Sequence, residues 1–515
     1  MASCVSNIGS WMQDTAGTWL MAVLTTSPLL IALMQTAASL PVLILGLPAG
    51  ATADMFDRRR LLIFWQTWML ISVAILGVLT FAGVISPWAL LAFTFLLNIG
   101  AAMNNPAWQA IVPELVPREE LSDAIALNSA GYNLARAVGP ALGGLGVAAF
   151  ISAARGASVV FLINSLSFLA VIFVLYQWRR KPLYKSSLPA ERLSGSMRAG
   201  VRYLVHAPEL QAILIRAFLF TLFAIAVWAL LAVVAQHDLH RGAMAYGILN
   251  GCLGLGAVAG ASSLAKVRQR IPANAIVLCA CGVFIATLCV LALVHFVWIV
   301  MLTLIAAGFA WTSVTSTLNA AVQLSVPDWV QARALGLYQT IFMGGMAGGS
   351  ALWGELAERY STKYALLVAA GAFAVSLPLS AKFRLRQGAP PDMSPYHFNR
   401  PVPDVQLTPL PEDGPVMVTI EYLISPEEYE GFTNAIHQLR RVRMRDGAVR
   451  WGVYRDTANP GRLLETFVTE SWLEFLRERE RMTAADRVIR DRVRQFHHGP
   501  EPVVSYMIYA KQIGR

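Results

Sequence analysis

Apolar runs about twenty residues long recur along most of this chain, and they constrain it more than any other feature. In hydrocarbon every backbone N–H and C=O must be satisfied within the chain, so such runs fold as helices or closed barrels. At helical rise, about twenty residues cross the core. Twelve runs are read, near 3–25, 29–52, 61–83, 88–110, 122–149, 157–177, 210–235, 243–265, 272–294, 297–323, 331–355 and 362–382. The 515 residues are 56% hydrophobic and 14% charged, which excludes an ordinary soluble protein of this size. The first run is no cleavable leader, because it lacks a basic start and carries Asp14 in its middle. A short cytosolic lead before it is expected.

The runs form two sets. GATADMFDRRRLL at Gly50 is answered by GASSLAKVRQRIP at Gly260, and PREELSDAIALNSAGYN at Pro117 by PDWVQARALGLYQTIFM at Pro327. Gly139 and Gly144 fall on Gly349 and Gly354 at the same offset. Duplicated membrane halves imply a device that rocks one half against the other around a central site. Residues 1–177 read as the first six-helix half, 178–209 as a basic amphipathic linker and 210–382 as the second half.

Lysine and arginine set the orientation. One set of loops holds Arg58, Arg59, Arg60, Arg179, Arg180, Lys266, Arg268, Arg270, Arg333 and Lys382 among others, whereas the opposite set holds only Arg155, Arg241, Arg359 and Lys363. The first set and both termini are therefore expected in the cytoplasm. The net charge of +10 is then a topology signal, and its scatter over short loops argues against nucleic-acid binding. The five cysteines lie in spans at spacings that suit no zinc site.

Residues 383–413 are rich in proline and read as an extended tether. Residues 414–515 then alternate as β-α-β-β-α-β, a small C-terminal α+β ferredoxin-like domain with one long helix over 471–496. Such a sheet has a bare face, which is expected to pair with a second copy, by dimerisation through residues 414–515, or with another protein. Arg440-Arg441-x-Arg443-x-Arg445 reads as a solvated face, or as a dock for anionic headgroups.

Asp14 lies near the middle of the first span and Arg136 at similar depth in the fifth. A lone charge at the bilayer centre costs about 2.5–3.5 kcal/mol, so each should favour a partner. The two are expected to pair or to share a water network, with Asp14 taking up a proton during the cycle. A static pair that orients two helices is the plainer alternative. Arg216, two turns into the seventh span, is expected to snorkel to the cytoplasmic surface.

Between the second and third spans stands Gly50-x-x-Ala53-Asp54-x-x-x-Arg58-Arg59. Small residues allow close helix approach, and the arginines can reach carboxylates or phosphates, so this loop can latch one side shut. A loop that only fixes topology is the alternative. The fifth span carries Gly139-Pro140-x-x-Gly143-Gly144, where proline removes a helix hydrogen bond and the glycines permit bending and close contact. An ordinary packing face is the alternative there.

These segments resemble the signature loop and the antiporter motif of the major facilitator superfamily. Thr52 and Asp57 depart from the loop pattern, and Leu264 replaces its acid in the second copy. WMQDTAGTWLM, with TTSPLL and LPAGATADMFDRRRLL, is similar to the branch of enterobactin exporters and transmembrane secretion effectors. The resemblance implies an all-α membrane protein of twelve transmembrane helices in two six-helix halves in a bacterial inner membrane. It implies export of a hydrophobic or amphiphilic small molecule, a drug-like compound or siderophore, by H⁺ antiport.

In that superfamily spans one, four, seven and ten line the cavity. This points to Asn7, Gln13 and Trp19, to Asn104, Asn105 and Trp108, to Trp228, and to Trp311, Thr312 and Asn319. Amides and tryptophans suit a bulky aromatic cargo, although such groups also bond to neighbouring helices. No Walker-type glycine loop is present, and neither a cofactor nor an enzymatic activity is expected. The tail resembles antibiotic-biosynthesis monooxygenases, which implies an alternative in which it oxidises aromatic cargo without a cofactor. Asn434, His437, Trp451, Trp472, His497 and His498 are its polar and tryptophan candidates, at spacings that make no motif.

Overall fold

The structure is a computed structural model. It describes residues 2–115, 121–177, 193–383, 385, 392–394 and 409–509. Part of the basic linker, most of the tether and the Asp54 side chain lie outside the described residues. The contacts divide the chain into a helical unit, Met1–Leu188, Ile213–Asn319 and Gly336–Gln387, and a second unit, Pro189–Ala212, Ala320–Leu335 and Gly388–Arg515.

The first six apolar runs become α1 (Ala2–Leu24), α2 (Pro28–Met55), α3 (Arg58–Phe81), α4 (Pro87–Leu115), α5 (Leu121–Ala148) and α6 (Ala153–Gln177). After α7 (Leu193–His206), the seventh run forms α8 (Pro208–Ala224), α9 (Ala226–Val233) and a π turn (Val234–Asp238). It stays one rod, because Ile225 N–H donates to the Thr221 carbonyl and Ala229 N–H to that of Ile225. Then come α10 (Ala243–Arg270), α11 (Ala273–Leu293), α12 (Val297–Ser325), α13 (Asp328–Arg359) and α14 (Thr362–Lys382). Among the described residues, nine helices are long and apolar enough to cross a membrane. α1, α5 and α13 are as long, at 23, 28 and 32 residues, and hold many of the polar and glycine positions singled out above.

Turn chemistry starts several of these helices. Ser27, Asp57 and Ser361 stand at N-caps, with side chains accepting from the N–H groups of Leu30, Arg60 and Tyr364. Asp57, where the signature loop has glycine, is thus the cap of α3. Arg216 does not snorkel. It is 1% exposed and donates to Asn274 of α11 and to Ser380 of α14, while Asn274 also bonds the Leu385 backbone. A guanidinium with several fixed donors is better satisfied by these side chains than by stretching to the interface.

In the second unit β1 (Val416–Leu423), β2 (Arg450–Arg455), β3 (Arg462–Thr469) and β4 (Val503–Ile508) form an antiparallel sheet in the order β2-β3-β1-β4. Val418 sits opposite both Phe467 and Tyr506, so alternate residues line one core face. That face packs on α15 (Tyr429–Asp446), α16 (Trp472–Arg481) and α17 (Ala484–Arg494). The expected single long helix is two. Thr483 and Asp486 form a reciprocal capping box that starts α17 afresh. On the opposite face Met417, Tyr454, Val503 and Met507 are exposed.

Arg443 and Arg445 are not on a solvated face. Arg443 lies four residues after Leu439, on the buried stripe of α15, and is 6% exposed. It donates to Glu465 at 3.3 Å and Glu478 at 2.8 Å, and its guanidinium lies 4.4 Å from the centre of the Phe467 ring. Tyr422 and Trp451 also donate to Glu465, at 3.2 and 3.1 Å. Burial works against the charge on Arg443, but Glu465 and Glu478 outweigh it and hold the guanidinium above its ordinary value. Arg440 and Arg441 are the exposed members of the run.

Removing one member of such a network strands the others. Arg443→Ala should destabilise the domain by about 3–5 kcal/mol, read as faster hydrogen exchange across residues 416–508 of the full chain. A pH effect follows from Glu474. Burial raises its carboxyl, yet Arg481 and Arg202 overcome this and leave it below the usual glutamate value of 4.5. Its contribution is complete above that value and lost as pH falls through the lowered one, so the same peptides should lose protection in acid.

Candidate functional site

The antiporter-motif glycines bring three helices to backbone distance. A Cβ on Gly139 would lie 2.5 Å from the Trp11 Cβ, and one on Gly143 2.5 Å from the Met12 carbonyl oxygen, so α5 lies directly on α1. Gly144 looks the other way. A Cβ there would lie 2.7 Å from the Ala243 carbonyl oxygen and 2.8 Å from the Gly247 Cα on α10. Pro140 lacks the N–H that would bond the Arg136 carbonyl, four residues earlier. Gly254 of α10 packs at that carbonyl, where a Cβ would stand 2.5 Å from the oxygen. A second seam joins the two sets of helices. Thr36 of α2 donates to the Ala347 carbonyl of α13 at 3.0 Å, and Ser27 donates to Glu358 at 2.7 Å.

Asp14 and Arg136 both come to the α1–α5 face, without an ion pair between them among the described residues. The Arg136 guanidinium lies 5.8 Å from the centre of the Trp11 ring, which is edge-on to Tyr132 at 6.3 Å. The planar, weakly hydrated guanidinium takes an aromatic face in place of the carboxylate. Asp14 is exposed, within electrostatic reach of Tyr132 on α5 and Tyr246 on α10. The two tyrosines were not anticipated, because an aromatic residue in a span carries no distinguishing spacing.

The cavity candidates divide into two groups. Gln13 is buried and accepts from Asn164 of α6 at 2.5 Å, and Trp19 is buried and stacked on Tyr246 at 5.8 Å. Trp108 packs with Leu62, Ile111 and Leu175. Trp311 and Trp228 meet edge-on at 4.5 Å, in an aromatic cluster with Phe220 and Phe284 that sequence reading missed. Thr312 is buried, with its hydroxyl unpartnered among the described residues. Asn104 accepts from Gln66 at 3.3 Å. Asp14 and Asn105 are exposed, while Asn7, Asn104, Trp228 and Asn319 are half-buried. Trp108 is half-buried as well.

In the signature loop Gly50 is half-buried. Arg59 donates to the carbonyls of Leu175 at 2.8 Å and Tyr176 at 2.6 Å, closing the C-terminal end of α6. Arg58 is half-buried beside it. In the C-terminal domain, of the monooxygenase candidates, His437 meets the Trp451 ring edge-on at 5.6 Å. Trp472 is in the core, Trp451 is tied to Glu465, His498 bonds Glu428 at 2.6 Å, and the His497 Nδ1 accepts from Leu423 N–H at 3.0 Å. Asn434 and His437 are exposed.

Comparison with known proteins agrees with the helical architecture. A mutant of the nucleoside transporter NupG shares the fold, with a TM-score of 0.62 at 12% identity, over 74% of this chain and 100% of that one. The staphyloferrin A transporter of Staphylococcus aureus is 28% identical over 170 residues, 33% of this chain and 42% of that one. The chain thus spans under half the length of that relative. The enterobactin exporter EntS of Escherichia coli O1:K1 is 27% identical over 317 residues, 60% of this chain and 72% of that one. The family described as transmembrane secretion effectors matches residues 1–513. The chain belongs to this family of major facilitator transporters.

Proposed function

We propose that the chain is a secondary transporter of twelve spans in two six-helix halves, set in a bacterial inner membrane with both termini in the cytoplasm. It exports a hydrophobic or amphiphilic small molecule, a drug-like compound or a siderophore, in exchange for protons by alternating access. The observation that carries this reading is the pair of seams between the halves, α5 on α10 and α2 on α13. With spans alternating in direction, the start of α2, the end of α5, the start of α10 and the end of α13 fall on one side, the extracytoplasmic one. That side is closed by glycine contacts and short hydrogen bonds, which can separate without tearing a hydrophobic core.

Asp14 stands on α1 near this seam and is exposed, which suits a proton site that reports on the seam. Asn7, Asn104, Asn105, Trp228 and Asn319 supply amide and aromatic contacts for cargo. The positively charged loop after α2, including Asp54, Arg58 and Arg59, serves as the cytoplasmic latch. The bare sheet face of the C-terminal domain suits pairing with a second copy. Similarity to siderophore-named relatives supports the cargo class by kinship, and the aromatic positions support it by chemistry.

Gly144→Leu should block closure of the seam and lower dye and catechol-siderophore flux in inside-out vesicles at least about tenfold, with Gly144→Ala intermediate. Normal flux in Gly144→Leu would remove the seam from the mechanism. Asp14→Asn should abolish the dependence of flux on an imposed pH gradient; a profile unchanged from the parent protein rules out Asp14 as the coupling group.

A further inference from the structure

The second unit holds more than the C-terminal domain. It takes in α7 and residues 320–335, which are the adjoining ends of α12 and α13 with the turn between them. Aromatic and charged groups join these pieces. Tyr203 of α7 is 1% exposed, its ring edge-on to Trp329 of α13 at 5.8 Å and the Arg445 guanidinium 5.3 Å from its centre. The Arg481 guanidinium lies 4.6 Å from the centre of the Trp329 ring. Arg202 of α7 donates to Glu474 at 2.8 Å, and Glu474 accepts from Arg481 at 2.6 Å. Arg445 is held in turn by Asp446 and Asp486, at 2.8 and 2.6 Å. A Cβ on Gly200 would stand 3.3 Å from the Arg333 Cβ, so α7 crosses α13 closely.

Two arginines of the C-terminal domain therefore cover two aromatic rings outside it, and carboxylates of the same domain orient each guanidinium. Buried aromatic anchors, arginines and desolvated charge pairs are the composition of a docking interface.

We propose that the C-terminal domain is a brake. Docked on Tyr203 and Trp329, it grips α7 and the α12–α13 turn together and slows the conformational exchange of the transporter. The proposal rests on the alternating-access reading. α12 and α13 cannot change their mutual tilt at this turn while one body holds both, and α7 leads directly into α8.

The test uses the full chain, in lipid nanodiscs for hydrogen exchange and in proteoliposomes for flux of a fluorescent lipophilic dye. Tyr203→Ala and Trp329→Ala should speed exchange in residues 320–335 about tenfold and leave the strands of the sheet, residues 416–423, 450–455, 462–469 and 503–508, protected as in the parent. They should also speed exchange in residues 243–254, where α10 parts from α5, and raise dye flux about threefold. Tyr203→Phe keeps the ring and loses only the hydroxyl's donation to the Ser325 carbonyl at 3.5 Å, so its exchange should lie close to the parent and well short of the alanine variants. Unchanged exchange in 320–335 in both alanine variants overturns the docking. A released turn, with residues 243–254 exchanging no faster than in the parent, overturns the brake. If no form of the chain moves dye, the export reading fails for that cargo, and the exchange in 243–254 still decides for or against the brake.

Discussion

Helix α5 touches α1 on one side and α10 on the other at backbone distance, and this double contact depends on glycine. Lipid tails are as apolar as leucine, so no hydrophobic force pushes membrane helices together. Association then depends on how closely two backbones can pack. Gly139 and Gly143 open the α1 side, while Gly144 and Gly247 open the α10 side. Pro140 adds to this by freeing the Arg136 carbonyl, at the point where Gly254 allows α10 to approach. The residues at these contacts are thus small, and backbone meets backbone with no large side chain between.

The same solvent explains what becomes of the polar groups. Gln13 pairs with Asn164, Asn104 with Gln66, Arg216 with Asn274 and Ser380, and Arg59 with the last carbonyls of α6. An amide or guanidinium inside a helical bundle takes the nearest donor or acceptor, because the alternative is hydrocarbon. Much of the polarity in the spans therefore serves assembly. Asp14, exposed on α1, departs from that pattern and stands out for it.

The C-terminal domain uses charge differently. Arg443 is buried with Glu465 and Glu478, and Arg445 with Asp446 and Asp486. The first set holds the sheet to its helices. The second faces outward to Tyr203 of α7. One helix, α15, supplies both arginines two residues apart, one turned to the core of the domain and the other to its outer contact.

The order of helices and strands was legible in the amino-acid sequence, because apolar runs mark the long helices and strand alternation marks the sheet, but the break at Thr483 that divides α16 from α17 was not. The glycine motif of α5 was legible too, since glycine and proline have backbone consequences that hold in any context. The partner across each contact was not. Arg443 and Arg445 look like members of a basic surface run until the turn of α15 puts one in a core and the other against a tyrosine. Arg216 looks free to snorkel until α11 and α14 bring Asn274 and Ser380 to it. Trp311 looks like a cavity residue until Phe220, Phe284 and Trp228 surround it. Periodicity along a chain says which face of an element is buried, whereas the identity of the neighbour depends on which elements the completed fold brings together.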